Sequence, residues 1–503
     1  MINFKEHFKL TAVYTFFAAF PALLQLIVYP VIEGETRLGA EDFGYLAITE
    51  VIISLVFTFS IFGTANGLAR LYYDNKDNHE SYNKLVSTVL SGIISRGLLL
   101  TGISILFAPL IGSIFNQPAL QNFEEYGPYA VISGLNRAVI FMAVVLYRHE
   151  KKLSYFVIVS LLSGLFRSGF QIAGVLFYDL SFKGYVYGTA LGGGIVALGI
   201  ILFIYFTSGL HYNKTINAEL YPFSRPLFFS ELIFWGFLFA DRFFLLGNPE
   251  QLGIYDNAVK FAMGIQLVIQ GLSAGVQPEI FRFLKDGIEK KHTEIKKLSS
   301  LLLAESLIII ALAIIPVMLF IDFFYETSLQ LSAAIISILF IRYIFRVQYV
   351  VFSWPLMFSK KTIWFFVLNS VALFINLLIN WFLTPKIGYY GAIIAFLVSS
   401  FVQVLLIFTI QQKVIPIQWN YKKMIYFPIG IIAFTGSLEF LKHAYNISAY
   451  LTSSLVILFI FSGLALVYKN EIKGVIKILQ NKFTGKNTNN MKSITNDEPG
   501  QIH

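Results

Sequence analysis

Fourteen apolar segments recur along the chain, and each is long enough to cross a hydrocarbon layer about 30 Å thick as a helix. Hydrophobic residues make up 56% of the chain and charged residues only 13%, a balance typical of polytopic membrane proteins. The sequence therefore predicts an all-α membrane protein with about 14 transmembrane helices. The predicted spans are 8–32, 43–69, 85–115, 127–147, 154–178, 184–207, 226–246, 254–279, 298–320, 328–350, 362–383, 388–410, 424–441 and 450–468.

Basic residues are concentrated in alternate loops. One set of loops, together with both termini, carries 27 Lys and Arg residues, whereas the other set carries 4. Because positively charged loops tend to stay in the cytoplasm, both termini are predicted to be cytoplasmic. The net charge of +9 is then mainly a topology signal, and no nucleic-acid partner is predicted. The chain has no cysteine, which excludes disulfides and thiolate metal sites.

An internal repeat is found when the chain is shifted by 209 residues. The coinciding pairs are Gly44 and Gly253, Glu41 and Glu250, Ala65 and Ala274, Arg137 and Arg346, and Lys151 and Lys360. The shift covers six spans, an even number, so both halves enter the membrane in the same direction. We therefore expect two six-helix lobes related by an axis along the membrane normal, with substrate passing between them.

The repeat also predicts the domain boundaries. The expected domains are an N-terminal lobe at 1–210, a cytoplasmic linker at 211–225, a C-terminal lobe at 226–412, two additional helices at 413–468, and a basic cytoplasmic tail at 469–503.

Charged residues within the spans are the strongest functional signal, because lipid cannot face them without a large free-energy cost. Seven are cations and four are anions, a surplus that would attract an anionic substrate, and the planar guanidinium suits phosphate oxygens. The expected depths are the membrane centre for Arg96, Arg137, Arg167, Arg342 and Arg346, the outer side for Glu50, Asp241, Arg242 and Lys260, and the inner side for Glu231 and Glu305.

Structural roles compete with each of these assignments. Asp241 and Arg242 could form ion pairs that lock two helices together, and Lys260 could extend to the outer interface. Arg96 and Glu305 occupy equivalent repeat positions with opposite charge, which allows a pair across the lobes. Polar stripes on the fifth and eleventh spans could line a cavity or simply hold helices together. These stripes contain Ser160, Ser163, Arg167, Gln171, Asn369, Asn376 and Asn380.

Sequence signatures of enzymes are missing from the chain. It contains no Walker sequence, no GxSxG and no HExxH, and its seven histidines lack metal-ligand spacing. No cofactor and no metal are predicted, and we expect a transporter and not an enzyme.

Four segments resemble bacterial polysaccharide flippases. They are YPFSRPLFFSELIFWGFLFADRFFLLGNPEQLGIYDNAVKF (221–261), NLLINWFLTPKIGYYGAIIA (376–395), LGAEDFGYLAITEVI (38–52) and GTANGLARLYY (63–73). The likeness runs over most of residues 1–412. Flippases of this kind belong to the multidrug/oligosaccharidyl-lipid/polysaccharide exporter superfamily, so the resemblance implies two six-helix lobes and alternating access.

The resemblance also implies a substrate, an undecaprenyl-diphosphate-linked oligosaccharide moved from the inner to the outer leaflet. The expected substrate-binding residues are Arg96, Arg137, Arg342, Arg346, Lys260 and, at the cytoplasmic end of the second span, Arg70. Gating or structural ion pairs are expected at Asp241, Arg242, Glu50 and Glu305, and polar cavity walls at Arg167, Gln171, Asn376 and Asn380. The expected partners are the lipid-linked glycan, membrane lipids, a polysaccharide polymerase and glycosyltransferases.

Three other functions remain open at this point. A peptidoglycan-precursor flippase also has extra helices. A cation-coupled multidrug exporter is disfavoured by the arginine surplus, because a cationic drug would favour acidic residues. An enzyme of glycan polymerisation or ligation is the alternative outside the superfamily, although the outward loops are short for one.

Overall fold

The computed structural model describes residues 4–178, 180–361 and 363–469, and this part of the chain contains no β-strand. Fourteen helical rods follow one another, which confirms the predicted all-α membrane fold. Their bounds are α1 Phe4–Ile32, α2 Ala40–Asn75, α3 His79–Leu106, α4 Phe123–His149, α5 Leu153–Leu176, α6 Phe182–Ser208, α7 Lys214–Leu245, α8 Pro249–Asp286, α9 Ile288–Phe324, α10 Ser328–Phe358, α11 Ile363–Ile387, α12 Tyr389–Val414, α13 Lys422–Tyr445 and α14 Ala449–Val467.

Twelve of these rods are long and apolar enough to cross a membrane, and the apolar part of α1 is the shorter stretch Phe16–Ile32. The remaining rod, α7, is 32 residues long and begins at Lys214, so the segment predicted as a linker is mostly helical. Two short helices, Ala108–Gly112 and Pro118–Gln121, lie between α3 and α4. The predicted basic tail lies outside the described residues, apart from Lys469.

Equivalent helices pack in the same way in the two halves. In the N-terminal lobe, α5 packs on α6, α1 on α5, and α4 on both α2 and α6. The counterparts six rods later make the matching contacts, since α11 packs on α12, α7 on α11, and α10 on both α8 and α12. The helices α13 and α14 lie outside this repeat and pack on α10 and α9 of the C-terminal lobe. The predicted pair of pseudo-symmetric lobes is therefore confirmed.

Backbone geometry repeats with the same offset. Lys151 and Lys360 both have φ of 57°, in the left-handed region that residues other than glycine rarely adopt. Each residue lies in the short turn that joins two helices of its lobe. The 209-residue shift therefore relates details of the backbone as well as the order of the helices.

The lobes meet most closely at the end of the molecule whose loops carry few basic residues, which we call the charge-poor end. There α2 packs along α8. A Cβ atom at Gly44 would overlap the backbone carbonyl of Pro249, and one at Gly253 would overlap that of Ala40. These two contacts are related by the repeat, so the glycines permit a symmetric close approach of the lobes.

Further hydrogen bonds join the lobes at the charge-poor end. The buried Glu33 carboxylate, between α1 and α2, accepts the backbone N–H groups of Glu326 and Thr327, between α9 and α10, at 2.9 and 2.7 Å. The Gln117 side chain donates to the backbone carbonyl of Leu246, between α7 and α8. The described structure is therefore closed at this end.

Candidate substrate-binding site between the lobes

Glu50 on α2 holds two arginines of the N-terminal lobe. Its carboxylate lies 2.6 Å from Arg137 on α4 and 3.6 Å from Arg167 on α5. Arg137 also approaches the Ser54 hydroxyl at 3.4 Å, and its guanidinium lies over the Phe57 ring. The Arg137 side chain is nevertheless 45% exposed, so several of its N–H donors remain accessible.

A second charged cluster lies on α7 and α8. Asp256 accepts from Arg242 at 2.8 Å and pairs with Lys260 at 2.8 Å. Arg242 also bonds to Asp241 at 2.8 Å, and the Tyr255 hydroxyl donates to Asp241. The predicted role of Asp241 and Arg242 in ion pairs thus agrees with these contacts, and the pairs do join two helices.

The two clusters approach each other across the lobes. The Lys260 ammonium lies 4.2 Å from the centre of the Tyr29 ring on α1, within the range of a cation–π contact. Lys260 also lies close enough to Glu50 to stabilise its carboxylate electrostatically. Cations from both lobes therefore surround one region beneath the closed charge-poor end.

Asp256 is not among the residues predicted from the sequence. A usable signal was present, since Asp256 and Lys260 have the i,i+4 spacing that brings side chains together on a helix. In the structure Asp256 is the carboxylate that Arg242 and Lys260 share.

Replacing Asp256 by asparagine is expected to destabilise the protein by about 3–5 kcal/mol, the usual cost of removing one partner from a buried ion pair. The carboxylate is buried, so Arg242 and Lys260 would keep their charges with much less compensation. Thermal unfolding of purified protein in detergent measures the loss. Asp286→Asn, at the exposed end of the same helix, should change stability little. Equal stability of the two variants would contradict this account.

Arg342 and Arg346 lie inside the C-terminal lobe. Both line a small cavity of about 50 Å³ between α7, α8, α10 and α12, which Asp241 and Arg242 of the second charged cluster also line. Arg342 is only 5% exposed and lies 4.3 Å from the centre of the Phe396 ring. Arg346, the repeat counterpart of Arg137, is only partly buried. The two members of that pair therefore have different surroundings.

Arg96 on α3 binds the backbone where α2 is interrupted. Phe62 and Gly63 have positive φ values of 48° and 67° at this break. The Arg96 Nε donates to the Ser60 carbonyl at 2.9 Å, and the guanidinium reaches the Thr64 hydroxyl at 3.4 Å. Arg96 also lines a cavity of about 310 Å³ beside the first turns of α7.

Three more of the predicted charged residues lie outside these clusters and cavities. Glu305 is exposed and forms no ion pair within the described part of the chain, so the pair with Arg96 that the repeat allows is not formed in this conformation. Arg70 is exposed and lies 5.1 Å from the centre of the Phe223 ring on α7. Glu231 approaches the Asn66 amide at 3.5 Å.

The polar stripes are buried between helices and do not line a cavity in this conformation. Gln171 is fully buried and bonds to Thr189 on α6 and to Gln25 on α1. Asn376 and Asn380 are equally buried, bonded to each other and to neighbouring polar groups of α11 and α12. Of the four residues expected to form cavity walls, only Arg167 belongs to a charged cluster. Hydrogen bonds between helices account for the other three.

Comparison with known proteins gives one family match and a shared fold. A family model described as "Polysaccharide biosynthesis protein" matches residues 37–286, about half of the chain. No curated protein matches the sequence significantly.

Solved structures of transporters match over most of the chain. The lipid II flippase MurJ, in an inward closed conformation, aligns with a TM-score of 0.68 and 15% identity, covering 92% of this chain and 100% of its own. An inward-facing multidrug transporter of the MATE family aligns with a TM-score of 0.60 and 14% identity, covering 78% and 94%. A transporter of the MOP superfamily from Pyrococcus furiosus, described as having a binding pocket of reverse polarity, aligns with a TM-score of 0.55 and 15% identity. The alignment covers 80% of this chain and 94% of that one. At these identities the structural matches establish the fold alone.

The family match covers α2 to α8, the helices that meet between the lobes and carry both charged clusters. The shared fold covers most of the chain. Residues 37–286 therefore resemble the polysaccharide biosynthesis family, and the chain as a whole has the fold of MurJ and of MATE transporters.

Proposed function

We propose that this protein flips an undecaprenyl-diphosphate-linked oligosaccharide from the inner to the outer leaflet of a bacterial cytoplasmic membrane. The observation that carries the proposal is the partly exposed guanidinium of Arg137, whose partner Glu50 is also stabilised by Lys260 of the other lobe. A diphosphate is the part of such a substrate that needs positive charge, whereas its sugars need only neutral hydrogen bonds.

Arg137 has the spare capacity that phosphate binding requires. A guanidinium carries five N–H donors, and the contacts to Glu50 and Ser54 use a single nitrogen, Nη1. The remaining donors can bind phosphate oxygens in the two-pronged geometry that arginine favours. Glu50 meanwhile fixes the direction of the side chain, so that little conformational entropy is lost when the substrate binds.

Binding between the lobes supplies a mechanism for transport. Arg137 and Arg167 belong to the N-terminal lobe, whereas Lys260 belongs to the C-terminal lobe. A diphosphate held by both sets has an affinity that depends on their separation, and only such a difference in affinity lets a substrate shift an equilibrium between two states. Opening of the charge-poor end would separate Lys260 from the arginines and weaken the hold on the diphosphate.

The remaining parts of the proposal follow from the same chemistry. The loops that carry most of the basic residues, and both termini, would face the cytoplasm. Arg70 would meet the substrate first on that side. Glycosyltransferases would supply the lipid-linked glycan on that side, and a polysaccharide polymerase would consume it on the other. No cofactor is required, because no covalent bond changes.

Proteoliposomes provide the test. Purified protein is reconstituted with a fluorescent undecaprenyl-diphosphate oligosaccharide, and the amount that reaches the opposite leaflet is measured with an impermeant glycan-binding reagent. We expect protein-dependent translocation, and none of the same glycan on a neutral lipid. The proposal would be overturned if the glycan on a neutral lipid were translocated equally well, or if only cationic drugs were translocated.

A peptidoglycan precursor is the second candidate substrate. It is favoured by the structural match to MurJ, which covers the whole of that chain. Lipid II also carries a diphosphate, so the two substrates differ only in the sugar and peptide part. Offering both in the same proteoliposomes, at equal concentration, separates the candidates by their relative rates.

A further inference from the structure

The C-terminal lobe contains a small, positively charged cavity between α7, α8, α10 and α12. Its volume is about 50 Å³, enough for one or two water-sized groups. Phe237 and Phe396 provide apolar walls, while Arg342, Arg346, Gln266 and Ser400 provide polar ones. The cavity is separate from the contact between Lys260 and Tyr29 that joins the lobes.

Three arginines line this cavity. Arg242 is paired with Asp241 and Asp256, whereas Arg342 and Arg346 have no countercharge of their own. No carboxylate of the described residues lies within ion-pair distance of either guanidinium, and the Nε atoms of both are buried without an acceptor. Asp241 also lines the cavity, but it already accepts from Arg242 and from Tyr255. Arg342 is only 5% exposed, so water compensates little of its charge.

Arg342 is buried and Arg346 is partly buried, so the positive charge inside this lobe requires compensation, because an isolated charge away from water has a large free-energy cost. We infer that this cavity binds a small inorganic anion, of the chloride class, between the guanidiniums of Arg342 and Arg346. The Ser400 hydroxyl and the Gln266 amide supply neutral donors beside it. The anion links α10 to α12 and neutralises the interior of the lobe.

The size of the cavity separates this site from the proposed substrate site. Pockets for ligands of ordinary size enclose about 300–1,000 Å³, so a diphosphate with its first sugar does not fit. The inference therefore goes beyond the proposed function and assigns Arg342 and Arg346 to a resident ion. It holds whether or not the protein transports a lipid-linked glycan.

Thermal unfolding of the purified full chain in detergent tests the inference. Chloride is titrated against gluconate at constant ionic strength. We expect the unfolding temperature to rise with chloride and to saturate, and bromide to act in the same way. At a chloride concentration one hundred times its Kd, the folded-to-unfolded ratio should rise about 100-fold. An unfolding temperature that does not depend on the anion would overturn the inference.

Matched variants locate the effect. Arg346→Gln should remove the dependence on chloride, whereas Arg282→Gln, an exposed arginine at the end of α8, should retain it. Equal chloride dependence in both variants would mean that the ion binds elsewhere. A structure of the unaltered protein determined in bromide adds a direct readout. Anomalous density between Arg342 and Arg346 is expected, and its absence at saturating bromide would contradict the site even if the variants fail to fold.

Discussion

Replacing Arg137 by glutamine is expected to lower transport of the lipid-linked glycan about 10- to 100-fold, while the protein still folds and inserts. Hydrogen bonds to a charged group contribute about 1.5–3 kcal/mol each, and every 1.4 kcal/mol changes a binding constant tenfold. Arg137 is largely accessible, so the loss should be one of substrate binding more than of stability. Initial rates in proteoliposomes, over a range of substrate concentrations, measure the effect.

Neutralisation of Glu50 is the matched control for this prediction. Arg137→Gln and Glu50→Gln both break the same 2.6 Å ion pair, but only the first removes a phosphate ligand. If Arg137 merely holds helices α2 and α4 together, the two variants should be equally impaired. If it binds the diphosphate, Glu50→Gln should be impaired less than Arg137→Gln, because it loses the residue that positions Arg137 but keeps the phosphate ligand.

A conservative change refines the same test. Arg137→Lys keeps the charge but loses the two-pronged geometry, so we expect intermediate transport. Arg148→Glu, in the last turn of the same helix and next to a loop rich in basic residues, should leave transport nearly unchanged. Unimpaired transport by Arg137→Gln would remove the main support for a diphosphate-binding role.

The number and order of the helices could be predicted from the sequence because hydrocarbon imposes a simple rule on length and polarity. The repeat could be predicted too. Positions 44 and 253 must both be small for the backbones of the two lobes to meet, and the symmetry of the lobes requires a glycine at each. The same two glycines were identified from the 209-residue offset alone, and the structure adds what they contact.

The partners of the buried charges could not be predicted in the same way. Depth in the membrane can be read from sequence position, but the direction of a side chain depends on how each helix is rotated. Arg137 and Arg346 occupy equivalent positions, yet Glu50 binds the first, whereas the second lines a small cavity within its own lobe. The position equivalent to Glu50 in the second lobe is Val259, so the repeat supplies no carboxylate for Arg346.

The polar stripes show a second limit of sequence reasoning. Asn376 and Asn380 have the spacing of a cavity wall, but they also have the spacing of residues that join two helices. Which of these two roles applies depends on whether another helix packs on that face of α11, and α12 does pack on it. Close approach of the helices is visible at Gly391, where a Cβ atom would overlap the backbone around Thr384.

The combined change of Gly44 and Gly253 to alanine is expected to prevent closure of the charge-poor end and thereby to stop the transport cycle. Each new Cβ would overlap a backbone carbonyl of the other lobe, and backbone cannot move aside as a flexible side chain does. Overpacking of this kind costs about 1–3 kcal/mol at one site, which shifts an equilibrium between two states about 5- to 150-fold. Two symmetric sites should therefore favour the open end strongly.

Labelling of a single cysteine can report this shift, because the chain has no cysteine of its own. A cysteine at Ala40, which is buried in the closed state, should resist a maleimide in the parent protein and react in the double variant. The matched control is the combined change of Gly264 and Gly275 to alanine, on the inner part of α8, where a new Cβ meets no other atom within 4 Å. Because alanine favours helix more than glycine does, the control should be as stable as the parent or slightly more stable. Slow labelling and normal transport in the Gly44 and Gly253 variant would mean that close contact of these backbones is not required for the cycle.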